Sequence, residues 1–344
     1  MKKEIEKALK NVILMNKKNI IESGFVKKID LLNNKIVIYL ILDNPAMHFK
    51  NELIKNIKNS IKSINILYTI CFKIEMKSES SINIKPVIKN IIAIASGKGG
   101  VGKSTIATNI AVSLKEMGFH VGLLDADIYG PSIPLMFNIE KKNINTITHK
   151  NGIINPIISY GVKILSIGFF LKYGEAIVWR GPMVTKVLRQ FIHETYWGEL
   201  DFLIVDLPPG TGDIHLSILQ EITLQGIVIV STSQKIALSD VNRSVGMFRM
   251  KSIYVPIIGI IENMSFFFTK KEKEKYYFFG KNGVKNFSKK SNIFFLGEIP
   301  MLQEIRKYSD LGIPIVLKND IIKNMFINIT KNIINQINQL YIKN

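Results

Sequence analysis

Nine consecutive residues, GKGGVGKST from Gly97 to Thr105, concentrate groups that can act on phosphate. Gly97, Gly102, Lys103 and Ser104 satisfy G-x-x-x-x-G-K-[ST], with Lys98, Gly99, Gly100 and Val101 inside the loop and Thr105 just beyond it. Glycines at these positions let successive backbone amides converge on phosphate oxygens, and a following helix adds partial positive charge at its N-terminus. Lys103 is expected to reach the β- and γ-phosphates of a nucleoside triphosphate, and the Ser104 hydroxyl to meet Mg²⁺. The flanks supply the context that such a loop needs. Ile91 to Ala95 is an apolar run of strand length, while Ile106, Ile110 and Leu114 share one face of a helix opening at Lys103. ATP with Mg²⁺ is the ligand this arrangement suits.

Two further segments end in carboxylates. Val121 to Leu124 runs into Asp125 and Asp127, and Phe202 to Val205 runs into Asp206. Open α/β sheets collect their ligands at the carboxyl ends of strands, so all three aspartates are expected near the phosphate loop. Asp206 is the candidate to hold Mg²⁺ through water, Asp127 to orient the attacking water, and Asp125 to support the loop. Any one of them, taken singly, would serve equally as a helix cap. Gly210, within PPGTGD, offers either a backbone amide to the γ-phosphate or simply a turn.

The elements that must position these groups follow from periodicity. Strands are expected at Ile91 to Ala95, His120 to Asp125, Leu203 to Asp206, Gly226 to Ser231, Ile257 to Glu262 and Ile293 to Glu298, alternating with helical segments. Near-continuous apolar strands of this kind are buried on both faces, which predicts an α/β fold: a mostly parallel, doubly wound sheet with helices on both faces. Residues 91–344 form this domain. A terminal helix over Asp320 to Asn344 places Ile322, Phe326, Ile329, Ile333, Ile337 and Leu340 on one side. Residues 1–75 read as a small α/β domain, with helices at Lys2 to Met15 and Phe49 to Ile64 and strands at Lys35 to Leu42 and Ile66 to Ile74. The Ser- and Lys-rich residues 76–90 read as a linker.

Composition narrows the class. Of 344 residues, 47% are hydrophobic and 21% charged, the balance of a globular protein. No apolar run reaches the roughly 18 to 20 residues that span a bilayer, and the N-terminal apolar stretch is too short for a secretory signal, so a cytoplasmic location without stable membrane insertion is expected. The formal charge of +19 comes from lysines scattered through a chain crowded with Lys, Ile and Asn, as an AT-rich coding genome produces. No Arg-rich stripe or aromatic-basic interleaving accompanies it, and no nucleic-acid partner is expected. Cys71 is the single cysteine, which excludes an intrachain disulfide and a cysteine-built metal site within one chain.

In GKGGVGKST, LDADIYGPS, VWRGPM, VDLPPGTGD, IIENMS and LGEIP, the chain resembles the Mrp/ApbC family of P-loop ATPases, which carry iron-sulfur clusters to apoproteins. The resemblance spans roughly Ile91 to Val316, and the N-terminal unit looks like the small domain that often precedes this ATPase. It implies a homodimer in which Lys98 reaches the partner's nucleotide, slow partner-coupled ATP hydrolysis, and adenine recognition by Asn263. It also implies apoprotein clients or iron-sulfur assembly proteins as partners. The family usually carries CxxC between NMS and FG. Here the segment reads NMSFFFTKKEKEKYYFFG, and the usual spacing puts Thr269 and Glu272 where the cysteines would stand. Neither is a thiolate, so no iron-sulfur ligand is identifiable in this chain. Cys71 suits a core thiol. A nucleotide-switched ATPase that binds a protein, membrane or DNA partner without a cluster is the alternative reading.

Overall fold

The computed structural model describes residues 2–12, 19–23, 25–32, 35–42, 47–62, 64, 68–76, 88–140, 154–170, 181–212, 215–216, 218–219, 222–268 and 274–343. The chain divides into two compact units, one holding the described residues up to Met76 and the other those from Ile88 onward.

The first unit contains α1 (Lys2–Leu9), β1 (Val26–Leu32), β2 (Lys35–Leu42), α2 (Met47–Lys62) and β3 (Thr69–Met76). Its sheet has the order β1-β2-β3, the first pair antiparallel and the second parallel. Ile36, Ile38 and Leu40 alternate along β2 and pack with Ile5, Leu9, Leu53, Ile57 and Ile61 into one core. β1 lay outside the expected strands because Lys27, Lys28 and Asp30 interrupt its apolar run. Lys28 and Asp30, on the face away from Ile29, pair with each other at 2.9 Å. The opening helix, expected to Met15, stops at Leu9, where Lys10 and Asn11 turn the chain and Ile20 donates to the Val12 carbonyl; residues 13–15 lie outside the described residues.

The second unit is built on β4 (Ile88–Ala95), α3 (Lys103–Glu116), β5 (Val121–Asp125), α4 (Ile133–Met136), β6 (Ile157–Ser159), β7 (Val162–Ser166), α5 (Gly181–His193), β8 (Leu200–Asp206), β9 (Gly226–Ser231), α6 (Lys235–Phe248), β10 (Ile257–Glu262), α7 (Gly283–Ser291), β11 (Phe295–Glu298), α8 (Gln303–Asp310) and α9 (Asp320–Lys343). The sheet order is β11-β10-β9-β4-β8-β5-β7-β6, parallel except for the β6/β7 hairpin at one edge. β6 and β7 were not among the expected strands; a turn with Tyr160 and Gly161 at positive φ joins them. The linker was expected to run through Asn90, yet Ile88 to Asn90 already belong to β4, because Ile88 and Asn90 register against Leu200 and Phe202 of β8. Residues 77–87 lie outside the described residues. In α9, Ile322, Phe326, Ile329, Ile333 and Ile337 are buried, so this helix covers the domain. Among the described residues, no helix is long and apolar enough to cross a membrane.

Strand order decides where the site sits. β4 lies between β8 and β9, so the chain winds to one side through β5 and β8 and to the other through β9, β10 and β11. That reversal is the topological switch point, and it opens a crevice beyond the carboxyl end of β4.

Candidate active site

Ala95 ends β4, and the loop Ser96 to Gly102 carries the backbone into α3. Gly100 and Gly102 adopt φ of 81° and 82°, the left-handed region in which a Cβ is strained. Gly97 is required for a different reason. A Cβ there would stand 2.5 Å from the Asp240 and Val241 backbone of α6. Gly102 caps α3 without any side-chain hydrogen bond, and the first helical bond runs from Ile106 N–H to the Gly102 carbonyl. The amides of Lys103, Ser104 and Thr105 therefore have no partner within the helix, the condition under which a helix start binds an anion. These residues line a cleft of about 190 Å³ together with Ser96, Lys98, Gly99, Gly100, Gly102, Asp127, Ser132, Met136 and Pro209.

Lys103 points under the loop and is almost wholly buried. Its Nζ donates to Asp206 Oδ1 at 2.7 Å and lies 3.4 Å from Asp127 Oδ2. Burial works against its charge, but the carboxylates of Asp206 and Asp127 outweigh burial and raise its pKa above the ordinary lysine value. Asp206 is fully buried and its own pKa is raised by desolvation, against the pull of Lys103. Its second oxygen, Oδ2, has no hydrogen-bond partner among the described residues, although the Ser104 hydroxyl lies close enough to ease its ionisation. An unpaired buried carboxylate oxygen beside a serine hydroxyl fits the oxygen-rich surroundings that Mg²⁺ takes through its water shell.

Asp125 is set beside Asp206 by register, since the two are direct partners on neighbouring parallel strands. Desolvation first, and then the Asp206 charge, push the Asp125 pKa up to about 8. Its oxygens accept from Ser166 Oγ at 2.8 Å, from the Ile133 amide at 3.2 Å and from the Asp127 amide at 3.2 Å. Asp125 thus ties the start of α4 and the backbone of Asp127 to the sheet. Asp127 Oδ1 in turn accepts from the Tyr129 and Gly130 amides at 3.3 Å each, which shapes the loop on the cleft wall.

The model of the NUBPL iron-transfer P-loop NTPases matches residues 87–337, more than half of the chain. The chain belongs to that family. A second family model, described as iron-sulfur cluster assembly protein, matches residues 2–66. The iron-sulfur cluster carrier protein of Synechocystis is 36% identical over 87% of this chain and 86% of its own length. The carrier protein of Aquifex aeolicus is 48% identical over 68% of this chain, which spans 64% of that protein's length. The NUBPL cluster transfer protein of Dictyostelium discoideum is 49% identical over 67% of this chain and 70% of its own. Among solved structures, a nucleotide-binding protein of Archaeoglobus fulgidus in complex with ADP aligns with a TM-score of 0.59 and 36% identity, covering 68% of this chain and 90% of that one. A chain of the MinC:MinD cell division protein complex of Aquifex aeolicus shares the fold at 19% identity and a TM-score of 0.52, over 72% of this chain and 96% of that one.

In this family member the structure brings Lys103, Asp125, Asp127 and Asp206 together, and leaves Lys98 exposed at the cleft mouth. Gly210 stands apart from the lining, its amide donating to the Ser96 carbonyl at 2.9 Å. Asn263 sits behind the loop, donating from Nδ2 to the Val101 carbonyl at 2.8 Å. Thr269 and Glu272 lie outside the described residues. Cys71 is half-buried on β3. Sequence reasoning missed Ser166, which holds Asp125 from an unexpected strand, and His215. The His215 ring is buried, its Nε2 is 2.8 Å from the Pro208 carbonyl, and burial lowers its pKa. A histidine five residues after Gly210 was the available signal, but a single histidine carries no pattern of its own.

Proposed function

We propose that this protein binds Mg-ATP at the Gly97–Thr105 loop, hydrolyses it slowly as a homodimer, and uses the cycle to bind iron-sulfur clusters and pass them to apoproteins. The buried Lys103–Asp206–Asp127 cluster under the loop carries the ATPase part of this reading. Without nucleotide, Lys103 is neutralised by two carboxylates. A triphosphate in the cleft competes for the same ammonium, because phosphate oxygens carry more charge than the carboxylates do. As Lys103 turns to the phosphates, Asp206 and Asp127 lose their cation together. Asp206 is then free to hold the water shell of Mg²⁺, with Ser104 as the other protein group, and Asp127 is free to orient a water. Magnesium, when bound there, supplies neutralisation of the phosphate charge. The loop amides and the N-terminus of α3 hold the phosphates in place, and Gly210 leaves the Ser96 carbonyl to offer its amide to the γ-phosphate.

Lys98 is the second cation. It is exposed at the cleft mouth, and among the described residues it makes no ion pair, so a partner's phosphate can take it without breaking anything. A cation delivered from a partner stabilises developing charge as an arginine finger does. The cluster is cargo. With Cys71 the single cysteine, its thiolates come from clients or assembly proteins.

Mixed variants test the dimer. Lys98→Ala lacks the donated cation and Asp127→Asn lacks the water-orienting carboxylate, so each alone is inactive. A mixed dimer regains one working site if Lys98 acts across the interface, and no recovery on mixing refutes that arrangement. Anaerobic incubation with iron and sulfide tests the cargo: the isolated chain stays colourless, and an apoprotein supplying thiolates gains cluster absorbance in an ATP-dependent manner. A stable cluster on the isolated chain overturns the external-ligand reading.

A further inference from the structure

The resemblance gives Asn263 a place at the adenine; the geometry points to work at the phosphates. We propose that Asn263 is a positioning residue of the phosphate-binding loop, setting the direction of its last peptide through the Val101 carbonyl. The inference rests on the ATP-binding reading above.

Asn263 is 5% exposed, and its Nδ2 donates to the Val101 carbonyl at 2.8 Å. A carbonyl only accepts, so the amide orientation is fixed by the partner. Val101 itself is buried, which keeps water away as an alternative donor. The peptide between Val101 and Gly102 is planar and trans, so its C=O and N–H point in opposite directions. Tying the carbonyl to Asn263 turns the Gly102 N–H away from Asn263, and Gly102 lines the phosphate cleft. The same bond holds Gly102 at a φ of 82°, the conformation from which α3 starts. Contact at this point is close: a Cβ on Gly102 would lie 2.2 Å from Asn263 Nδ2 and 3.6 Å from the Met264 methyl.

Asn263 is itself anchored rather than adaptable. Its backbone amide donates to the Ser231 carbonyl at 2.8 Å, continuing the β9/β10 ladder beyond Glu262. Met264, directly after it, takes a φ of 52°, a strained conformation for a side chain of that size. The strain is held by the next residue, whose amide donates to the Ile299 carbonyl at 3.0 Å. Asn263 therefore ties the end of β10 directly to the last peptide of the loop. Lys103 and the α3 amides follow the peptide that Asn263 sets, so every triphosphate should feel the substitution, whatever its base.

Binding of Mg-ATP, Mg-GTP and Mg-tripolyphosphate to the full chain and to Asn263→Ala, by isothermal titration, separates the two roles. The positioning role predicts weakening by one common factor of about tenfold for all three, the size expected when a buried carbonyl loses its donor. A base-reading role weakens ATP alone and leaves tripolyphosphate unchanged, and that result overturns the proposal. Unchanged binding of all three overturns it as well. Asn263→Ser, with a shorter donor and less lost volume, repeats the comparison if the alanine variant fails to fold, and a partial common loss is then expected. If the unaltered chain binds no triphosphate, the ATP-binding reading fails instead, which the same titration shows separately.

Discussion

Replacing Asp125 by Asn should flatten the dependence of stability on pH. Asp125 is fully buried beside Asp206, and its pKa stands at about 8, against an ordinary value of 3.8. The folded protein therefore keeps a proton that the unfolded chain releases. For an acid raised in this way, the associated stability is complete below the unfolded pKa and is lost as pH rises through the folded one. The window runs from about pH 4 to about pH 8. With each pKa unit equivalent to about 1.4 kcal/mol, the wild type should lose on the order of 3–4 kcal/mol between pH 5 and pH 8 through this group and the Asp206 carboxylate it faces. Asparagine does not titrate, so the difference in unfolding free energy between the two proteins should change by that order across the window. Other titrating groups, such as Glu262 and His215, largely cancel in the difference. Trp197 is fully buried in the second unit, and both tryptophans of the sequence fall within the residues 87–337 that the P-loop family model matches, so urea unfolding followed by tryptophan fluorescence in nucleotide-free, magnesium-free buffer reports on this domain. A difference that stays constant to within about 0.5 kcal/mol from pH 5 to pH 8 refutes the claim that burial and Asp206 hold Asp125 protonated.

Other substitutions separate loop shape from loop charge. Gly97→Ala drives a Cβ into backbone atoms of α6 at 2.5 Å and should abolish nucleotide binding with a lowered melting temperature. Gly100→Ala meets open space and carries only the left-handed backbone penalty of about 1–2 kcal/mol, so it should fold and bind ATP more weakly in the same assays. Lys103→Met leaves Asp206 and Asp127 buried without their cation and should lower unfolding free energy by about 3 kcal/mol at neutral pH, with the loss shrinking as acid protonates them. His215→Leu removes the partner of the Pro208 carbonyl and should reduce kcat by about tenfold with KM little changed, while His215→Gln, which retains a donor at similar reach, restores most of the rate. Equal rates for the Leu and Gln variants would count against a role for that bond.

The phosphate-binding loop was legible because its chemistry is local. Gly97 to Thr105 specify backbone freedom, a cation and a hydroxyl within one turn, and the apolar runs on either side specify a strand and a helix by their own periods. Asp125, Asp127 and Asp206 were legible as a group through one general rule, that ligands collect at the carboxyl ends of parallel strands. The family was legible from the same motifs.

What only the tertiary structure decided is how these pieces meet. Periodicity says that β5 and β8 are buried strands but not that they are neighbours, nor that their register sets Asp125 against Asp206. That pairing depends on residues 81 positions apart; it adds the Asp206 charge to the desolvation that already raises the Asp125 pKa, and it sets Asp206 beside the buried Lys103. Ser166, His215 and the Asn263 bond to the loop were invisible for the same reason. Each acts through a partner far away in sequence, at Asp125, on the Pro208 turn or at Val101, and a side chain's own type does not name that partner. Local spacing told which groups could touch phosphate; strand order at the β4 switch point decided which of them are held beneath the loop, in low dielectric, where charge is strong enough to matter.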